Sequence, residues 1–184
     1  MPEFIGGLPV HPLLVHFTVV LIVLAVAGAV LTAVWPAVRR RFGWLVFAAA
    51  ALGTLLVPFT TTSGTNLANR LAATGDTAKQ LSEHERLGDL MIWWAVGLTV
   101  AVGALMVVHT MAERRVTAKV AVGAAGAEQE EPQQATRAPA LVAIVLALVT
   151  VGVAVGAGIH IYRVGDAGAR AVWEGVENLP AQNG

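Results

Sequence analysis

The sequence predicts an all-α integral membrane protein, a single domain over residues 1–184 that forms a bundle of four transmembrane helices. Hydrophobic residues make up 56% of the chain and charged residues 13%, whereas a soluble domain has about 25% charged residues. The charged residues also leave four long gaps, and each exceeds the roughly 20 residues that a helix needs to cross a bilayer. A soluble helix would show polar residues at every turn of its wet face. The gaps lie between Glu3 and Arg39, Arg41 and Arg70, Asp89 and Glu113, and Arg137 and Arg163.

The first two spans are predicted at residues 13–34 and 44–62. Pro12 suits the first turn of a helix, because its missing N–H would be unpaired there in any case, and Trp35-Pro36 ends the first span. Pro58 lies near the end of the second span and frees a backbone carbonyl. The hydroxyl-bearing residues 60–63 follow it and can supply new hydrogen bonds to that carbonyl.

The connection after the second span is polar. A short amphipathic helix is expected around residues 66–73, and Gly75-Asp76 is typical of a turn. Ser82 and Glu85 fit a capping box, in which the serine caps the helix and the glutamate follows three residues later. The sequence therefore predicts that the third helix starts at Ser82.

The third and fourth spans are predicted at residues 87–108 and 140–161. Residues 116–138 between them are rich in Ala, Gly, Gln and Glu without a hydrophobic period, which predicts a flexible linker. Residues 174–184 are expected to form a loose tail.

Lysine and arginine counts predict the orientation of the chain, because cytoplasmic loops carry an excess of these residues. The side with the connections between spans one and two and between spans three and four carries seven of them, and the opposite side carries five. Both termini are therefore predicted to lie outside the cytoplasm.

Composition also excludes several classes of function. The net charge of zero argues against a nucleic-acid partner, so the expected partner is the lipid bilayer. The absence of cysteine excludes thiolate metal sites, iron–sulfur clusters and thioether-attached haem. No nucleophile–base pair, phosphate loop or paired carboxylates suggest catalysis, and the chain is not expected to be an enzyme on its own.

Four of the five histidines are predicted to lie at the same membrane face, because the number of crossings is even. Imidazole is the commonest metal ligand and the usual axial ligand of non-covalent haem, and four-helix bundles build such sites from facing side chains. These residues predict a histidine-lined pocket near the outer leaflet that binds haem b or a transition metal for membrane redox chemistry. They are His11, His16, His84 and His160, whereas His109 is at the other face.

Residues near the third span would complete this pocket. Gly88 follows His84 by one turn and would leave room for a macrocycle or a neighbouring helix, and Glu85 and Asp89 would orient a ligating imidazole. Arg86, three residues before Asp89, is the favoured ion-pair partner of that carboxylate, and Arg163 beside His160 is the alternative on another helix.

The ligand pair itself stays open on sequence grounds. His11 and His16 are five residues apart, about 140° around a helix, so one of them is expected to pair with His84 or His160. Ser63 and its neighbouring hydroxyls join the same face.

Three alternatives remain for the same residues. The histidines can be structural, with an apolar body and a polar tip at headgroup level; for His109, a cation at a helix end is favourable by itself. The protein can be an accessory subunit that packs against other membrane subunits or a second copy, and the Gly152–Gly156 small-residue pattern suits such packing. It can also be a small ion or proton transporter that uses Asp89 and Arg163, although no inverted repeat is evident.

Four motifs, taken in order, resemble domain-of-unknown-function family 2231, over about residues 8–173. They are His-Pro-Leu-Leu-Val-His at 11–16, Ser63-Gly64, His-Glu-Arg-Leu-Gly-Asp at 84–89, and Arg-Val-Gly-Asp-Ala-Gly-Ala-Arg-Ala-Val-Trp at 163–173. The resemblance implies a four-helix bacterial membrane protein, some of whose relatives are related to redox-associated membrane modules. With the predicted orientation it implies a multi-pass protein of the cytoplasmic (inner) membrane. Where the family usually has Gly-His, this chain has Gly165-Asp166, whose carboxylate suits a hard cation or a proton.

Overall fold

A computed structural model describes residues 4–71, 75–124 and 137–173. Each of its four helices is long and apolar enough to cross a membrane, which confirms the predicted fold class. A short antiparallel hairpin precedes the helices, and it turns through Gly6 and Gly7, whose φ angles are positive. The elements are β1 (Phe4–Ile5), β2 (Leu8–Pro9), α1 (Val10–Val34), α2 (Pro36–Leu71), α3 (Gly75–Ala124) and α4 (Arg137–Trp173).

The four helices form a closed ring in the order α1, α2, α3, α4. Each helix packs against its two neighbours in this ring, while the diagonal helices α1 and α3 touch at few points. Small residues on α1, α2 and α4 allow the backbones to approach closely, and larger side chains of α3 fill the centre. The buried cluster in the middle of the bundle contains Ala25, Ala29, Ala50, Leu98, Val102, Met106 and Ala154.

A one-residue corner joins α1 to α2. Trp35 is extended, because the residue before a proline is disfavoured in helical geometry, and Pro36 then starts α2. Arg39 reaches back to the end of α1, where its Nε donates to the Thr32 carbonyl at 2.8 Å and its Nη2 to the Ala33 carbonyl at 2.9 Å. The helix α1 therefore ends at Val34, the residue predicted to end the first span.

The hydroxyls after Pro58 hydrogen-bond to backbone carbonyls, as predicted, but not to the carbonyl that this proline frees. Thr60 donates to Leu56, Thr61 and Thr62 donate to Pro58, and Ser63 donates to Thr60. The carbonyl left without its helical N–H by Pro58 is that of Thr54, four residues earlier.

The helices extend beyond the apolar spans. The segment expected to be a separate amphipathic helix is a continuation of α2 as far as Leu71. The predicted start of the third helix at Ser82 is wrong, since α3 begins at Gly75 and the Ser82 hydroxyl donates to the Lys79 carbonyl at 2.7 Å inside the helix. A capping-box pattern is also compatible with a helix interior when the backbone upstream is already helical.

The predicted linker is in part helical, because α3 continues to Ala124 and α4 begins at Arg137. The remainder of that linker, residues 125–136, and the predicted tail, residues 174–184, lie outside the described residues.

Candidate functional site

A cavity of about 80 Å³ opens at the end of the bundle where α1 begins, which we call the histidine end. Its apolar floor includes Ile22, Val57 and Met91, and its polar wall carries His11, His84, Glu85, Asp89 and several threonines. A water molecule needs about 10–15 Å³ of such volume. The cavity can therefore hold a few waters or one ion with part of its hydration shell.

His11 on α1 is held by the end of α2. Its Nδ1 lies 3.1 Å from the Thr60 carbonyl oxygen and 3.1 Å from the Ser63 hydroxyl, and that hydroxyl donates to the same carbonyl at 2.8 Å. A carbonyl oxygen can only accept, so the imidazole proton is on Nδ1 and the lone pair of the neutral ring is on Nε2. The ring lies against Gly64, where an added Cβ would come within 2.9 Å of His11 Cε1.

His84 on α3 is held in the same way by the end of α4. Its Nδ1 donates to the Val164 carbonyl at 3.0 Å, which again leaves the lone pair on Nε2. The ring lies against Gly168, where an added Cβ would come within 3.0 Å of its Cε1 and Nδ1 atoms. The centroids of the His11 and His84 rings are 6.5 Å apart, with the planes at 79°. Of the four predicted ligands, these two come together.

Two acids of α3 also line the cavity. Glu85 Oε1 is buried and has no hydrogen-bond partner among the described residues, while Asp89 is exposed at the mouth. The expected Arg86–Asp89 pair is wrong, because Arg86 instead binds Glu83, donating from Nε at 2.8 Å and from Nη2 at 2.7 Å. Glu83 lies one turn back on the solvent side, so the pair forms without burying either charge.

Gly88 lines the cavity between the two acids. Only Thr61 Cγ2, at 3.9 Å, comes near the position of a Cβ added there, so this wall of the cavity is open.

His160 lies inside the bundle and does not line the cavity. It is 8% exposed, its Nε2 donates to the Leu87 carbonyl at 2.9 Å, and its ring stacks on Trp94 with the centroids 6.0 Å apart. Trp94 in turn packs against Gly156 of α4. This contact joins α4 to α3 and accounts for Gly156 through packing within the bundle.

The other predicted residues also lie away from the cavity. His16 is exposed, and its Nδ1 donates to the Pro12 carbonyl at 2.6 Å. Arg163 and Asp166 line a separate surface groove between α3 and α4, where Asp166 accepts from Arg170 at 2.9 Å. His109 is at the opposite end of the bundle, 3.4 Å from Glu113.

The cavity sets limits on what it can bind. Within residues 4–71, 75–124 and 137–173, no three His, Asp or Glu side chains are placed to hold a metal ion together. Pockets for drug-sized molecules measure about 300–1,000 Å³, and haem is at least as large. A cavity of about 80 Å³ therefore does not fit a macrocycle unless the helices separate.

Sequence reasoning missed the groups that seat the two imidazoles, namely the Thr60 and Val164 carbonyls and Gly64 and Gly168. The chain did, however, carry a spacing signal for which histidines face the core. Buried residues follow both His11 and His84 by 7, 11, 14 and 18 positions, which is the heptad spacing of a helix that packs in a bundle. Both histidines thus continue the core-facing stripe of their helices, whereas His16 does not. The buried residues are Thr18, Ile22, Ala25 and Ala29 on α1, and Met91, Ala95, Leu98 and Val102 on α3.

Comparison with known proteins places the chain in a family whose activity is unassigned. The family model DUF2231, described as a predicted membrane protein, matches residues 7–178. No curated protein and no solved structure matches the chain. A match over nearly the whole length, together with four helices able to cross a bilayer, shows that this multi-pass membrane protein belongs to the DUF2231 family.

Proposed function

We propose that the cavity at the histidine end binds a single transition-metal ion through Nε2 of His11 and Nε2 of His84. The observation that carries the proposal is the pairing of two imidazoles whose Nδ1–H groups both donate to backbone carbonyls. Metal-ligating histidines almost always donate their other ring N–H to a carbonyl, a carboxylate or water, which sets the tautomer and the ring orientation.

The separation of the rings supports an ion between them. Two metal–nitrogen bonds of about 2.0 Å, added to the radii of two imidazole rings, place the centroids about 6 Å apart when the two nitrogens lie on opposite sides of the ion, and about 5 Å apart in a tetrahedral arrangement. The observed separation is 6.5 Å, so the rings must move slightly closer for the first arrangement and by about 1.5 Å for the second. The buried Glu85 Oε1, which has no hydrogen-bond partner among the described residues, lines the same cavity and can accept from water that the ion retains.

The donor set favours copper. Imidazole suits zinc, copper, iron and nickel, and among divalent first-row ions affinity is highest for Cu²⁺. A site with two protein nitrogens and few other ligands will therefore hold Cu²⁺ more tightly than Ni²⁺ or Zn²⁺. Bound copper supplies one-electron chemistry, which is the membrane redox role expected from the sequence.

The site lies at the level of the membrane surface. Exposed tryptophan and tyrosine side chains mark the interface, and Trp93 is 74% exposed. His84 precedes it by nine residues, roughly 14 Å nearer the end of the bundle. An ion can thus reach the cavity from water without crossing hydrocarbon. We place this end outside the cytoplasm of a bacterial inner membrane, and the distribution of Lys and Arg supports that orientation.

Metal titration of the detergent-purified, metal-free protein tests the proposal. We expect one Cu²⁺ per chain, with affinity reduced tenfold or more in His11→Ala and in His84→Ala, as for loss of a ligand. His16→Ala is the matched control, because this histidine is on the same helix but outside the cavity, and it should bind as the wild type does. Binding that survives both ligand substitutions would overturn the proposal. A Soret band in protein purified from haem-replete cells, lost in His84→Ala, would replace the ion with haem b.

A further inference from the structure

The two imidazoles are held by the same small unit in both halves of the chain. The His11 ring donates to the carbonyl of Thr60 and lies against Gly64, four residues further along α2. The His84 ring donates to the carbonyl of Val164 and lies against Gly168, four residues further along α4. We call this unit, a carbonyl and the glycine four residues after it, the imidazole cradle.

The two halves of the chain also match in the spacing of the buried residues along their helices. Buried residues precede both glycines by 7, 11, 14 and 18 positions, just as buried residues follow both histidines at these intervals. For Gly64 they are Val57, Gly53, Ala50 and Val46, and for Gly168 they are Ile161, Ala157, Ala154 and Thr150. The ring order α1–α2–α3–α4 relates the α1–α2 hairpin to the α3–α4 hairpin by a half-turn about the bundle axis. Parallel repeats of this kind, with the axis along the membrane normal, are one of the two common repeat arrangements in membrane proteins.

We infer that the two hairpins are an internal repeat, and that Gly64 and Gly168 are equivalent positioning residues, each of which sets the place and tautomer of one imidazole. Added Cβ atoms would approach the rings to 2.9 and 3.0 Å, so each ring must shift by a few tenths of an ångström, which lengthens or bends its hydrogen bond to the carbonyl. Gly165, three residues earlier on α4, differs, since nothing lies within 4 Å of a Cβ added there. The contact with the ring, and not a general need for glycine, thus distinguishes Gly168 from Gly165.

Nitrogen-15 NMR of the histidine rings tests this inference without any metal. In wild-type protein in micelles, the ring nitrogens of His11 and His84 should both show the Nδ1–H tautomer. Gly168→Ala should shift His84 toward the Nε2–H form and leave His11 unchanged, and Gly64→Ala should do the reverse. Gly165→Ala is the matched control and should change neither ring. An unchanged His84 tautomer in Gly168→Ala, or equal changes in both rings, would overturn the inference.

A milder variant keeps the test decisive if an alanine variant fails to fold. Ser63→Ala removes the hydroxyl beside His11 Nδ1 without adding volume, and it should shift the nitrogen signals of His11 alone. The hydroxyl shares the Thr60 carbonyl with the His11 ring, so an effect on His84, or none on His11, would contradict the seating of that ring on this carbonyl.

The consequence for metal binding rests on the proposed function. Gly64→Ala and Gly168→Ala should each lower Cu²⁺ affinity by about 10–100-fold, the usual effect of losing a group that orients a metal ligand, while Gly165→Ala should not. The two proposals fail separately. Wild-type protein that shows the tautomer pattern but binds no Cu²⁺ overturns the metal site alone, and Cu²⁺ binding without the tautomer pattern overturns the positioning role alone.

Discussion

The protonated ring nitrogen differs between His84 and His160, and the difference separates a candidate ligand from a packing residue. His84 donates through Nδ1 and keeps Nε2 free beside the cavity. His160 donates through Nε2, its ring is covered by Trp94, and it is buried between α3 and α4. The same side chain thus has two roles, which are set by the carbonyl that each ring reaches.

His160→Ala should therefore act on stability and not on metal binding. The substitution removes a buried hydrogen bond and the stacking on Trp94, and we expect the free energy of unfolding to fall by about 1–3 kcal/mol. Equilibrium unfolding in mixed micelles measures this change, and a Cu²⁺ titration of the folded variant should match the wild type. Loss of Cu²⁺ binding without loss of stability would show that His160 is a ligand after all.

At the scale of the helices, Arg39 links the end of α1 to the start of α2. Its two hydrogen bonds satisfy carbonyls of Thr32 and Ala33 that have no helical N–H, and a cation is favourable at a helix C-terminus. Arg39→Ala should lower the free energy of unfolding by roughly 1.5–3 kcal/mol, as for the loss of hydrogen bonds from a charged group.

Arg40→Ala is the control for this prediction, because Arg40 is exposed one residue further along α2. Its effect should stay within about 0.5 kcal/mol, and Arg39→Lys should recover only part of the loss, since an ammonium cannot match the planar fork of a guanidinium. Equal effects of the two alanine variants in the same unfolding experiment would contradict the role of Arg39.

The four apolar helices and the break between α1 and α2 at Pro36 were predictable from sequence, but the other helix ends were not. A long uncharged stretch indicates a helix in lipid, and Pro36 indicates a break because the residue before a proline disfavours helical geometry. Both indications depend only on residues that are neighbours in sequence. The polar segment from Gly75 to Arg86 is helical where Ser82 suggested a start. Its helicity depends on packing of α3 against α4 beyond the apolar span, where His84 reaches the Val164 carbonyl, and this contact is distant in sequence.

At the scale of the whole molecule, the proposed membrane orientation rests on the Lys and Arg distribution. The chain has no cysteine, so single-cysteine variants can be labelled cleanly. Ser82→Cys, at the histidine end, should react with an impermeant maleimide on intact cells, whereas Arg40→Cys should react only after the membrane is opened; both positions are exposed. The reverse labelling pattern would show that the orientation is opposite to the one proposed. Labelling of both positions on intact cells would show that they do not lie on opposite faces of the membrane.

The sequence predicted the end of the bundle at which the histidines lie, but not which of them come together. An even number of crossings places His11, His16, His84 and His160 toward one end, and this much follows from counting spans. Which rings meet depends on the rotation of each helix about its axis, and that rotation is set by packing of the core. The heptad stripe shared by His11 and His84 carries this information. The carbonyls of Thr60 and Val164 leave no trace in the sequence, because every residue has one.

The two candidate ligands lie on α1 and α3, the diagonal helices that otherwise hardly touch. An ion bound by both histidines would link α1 to α3, and so join the two halves of the protein. Because only the folded chain brings the rings together, a free ion concentration of 100 times the dissociation constant would raise the free energy of unfolding by about 2.7 kcal/mol. When the ion is scarce, the protein would be less stable and proteases would degrade it faster. The amount of the protein in the membrane would therefore rise and fall with the concentration of the metal ion outside the cell.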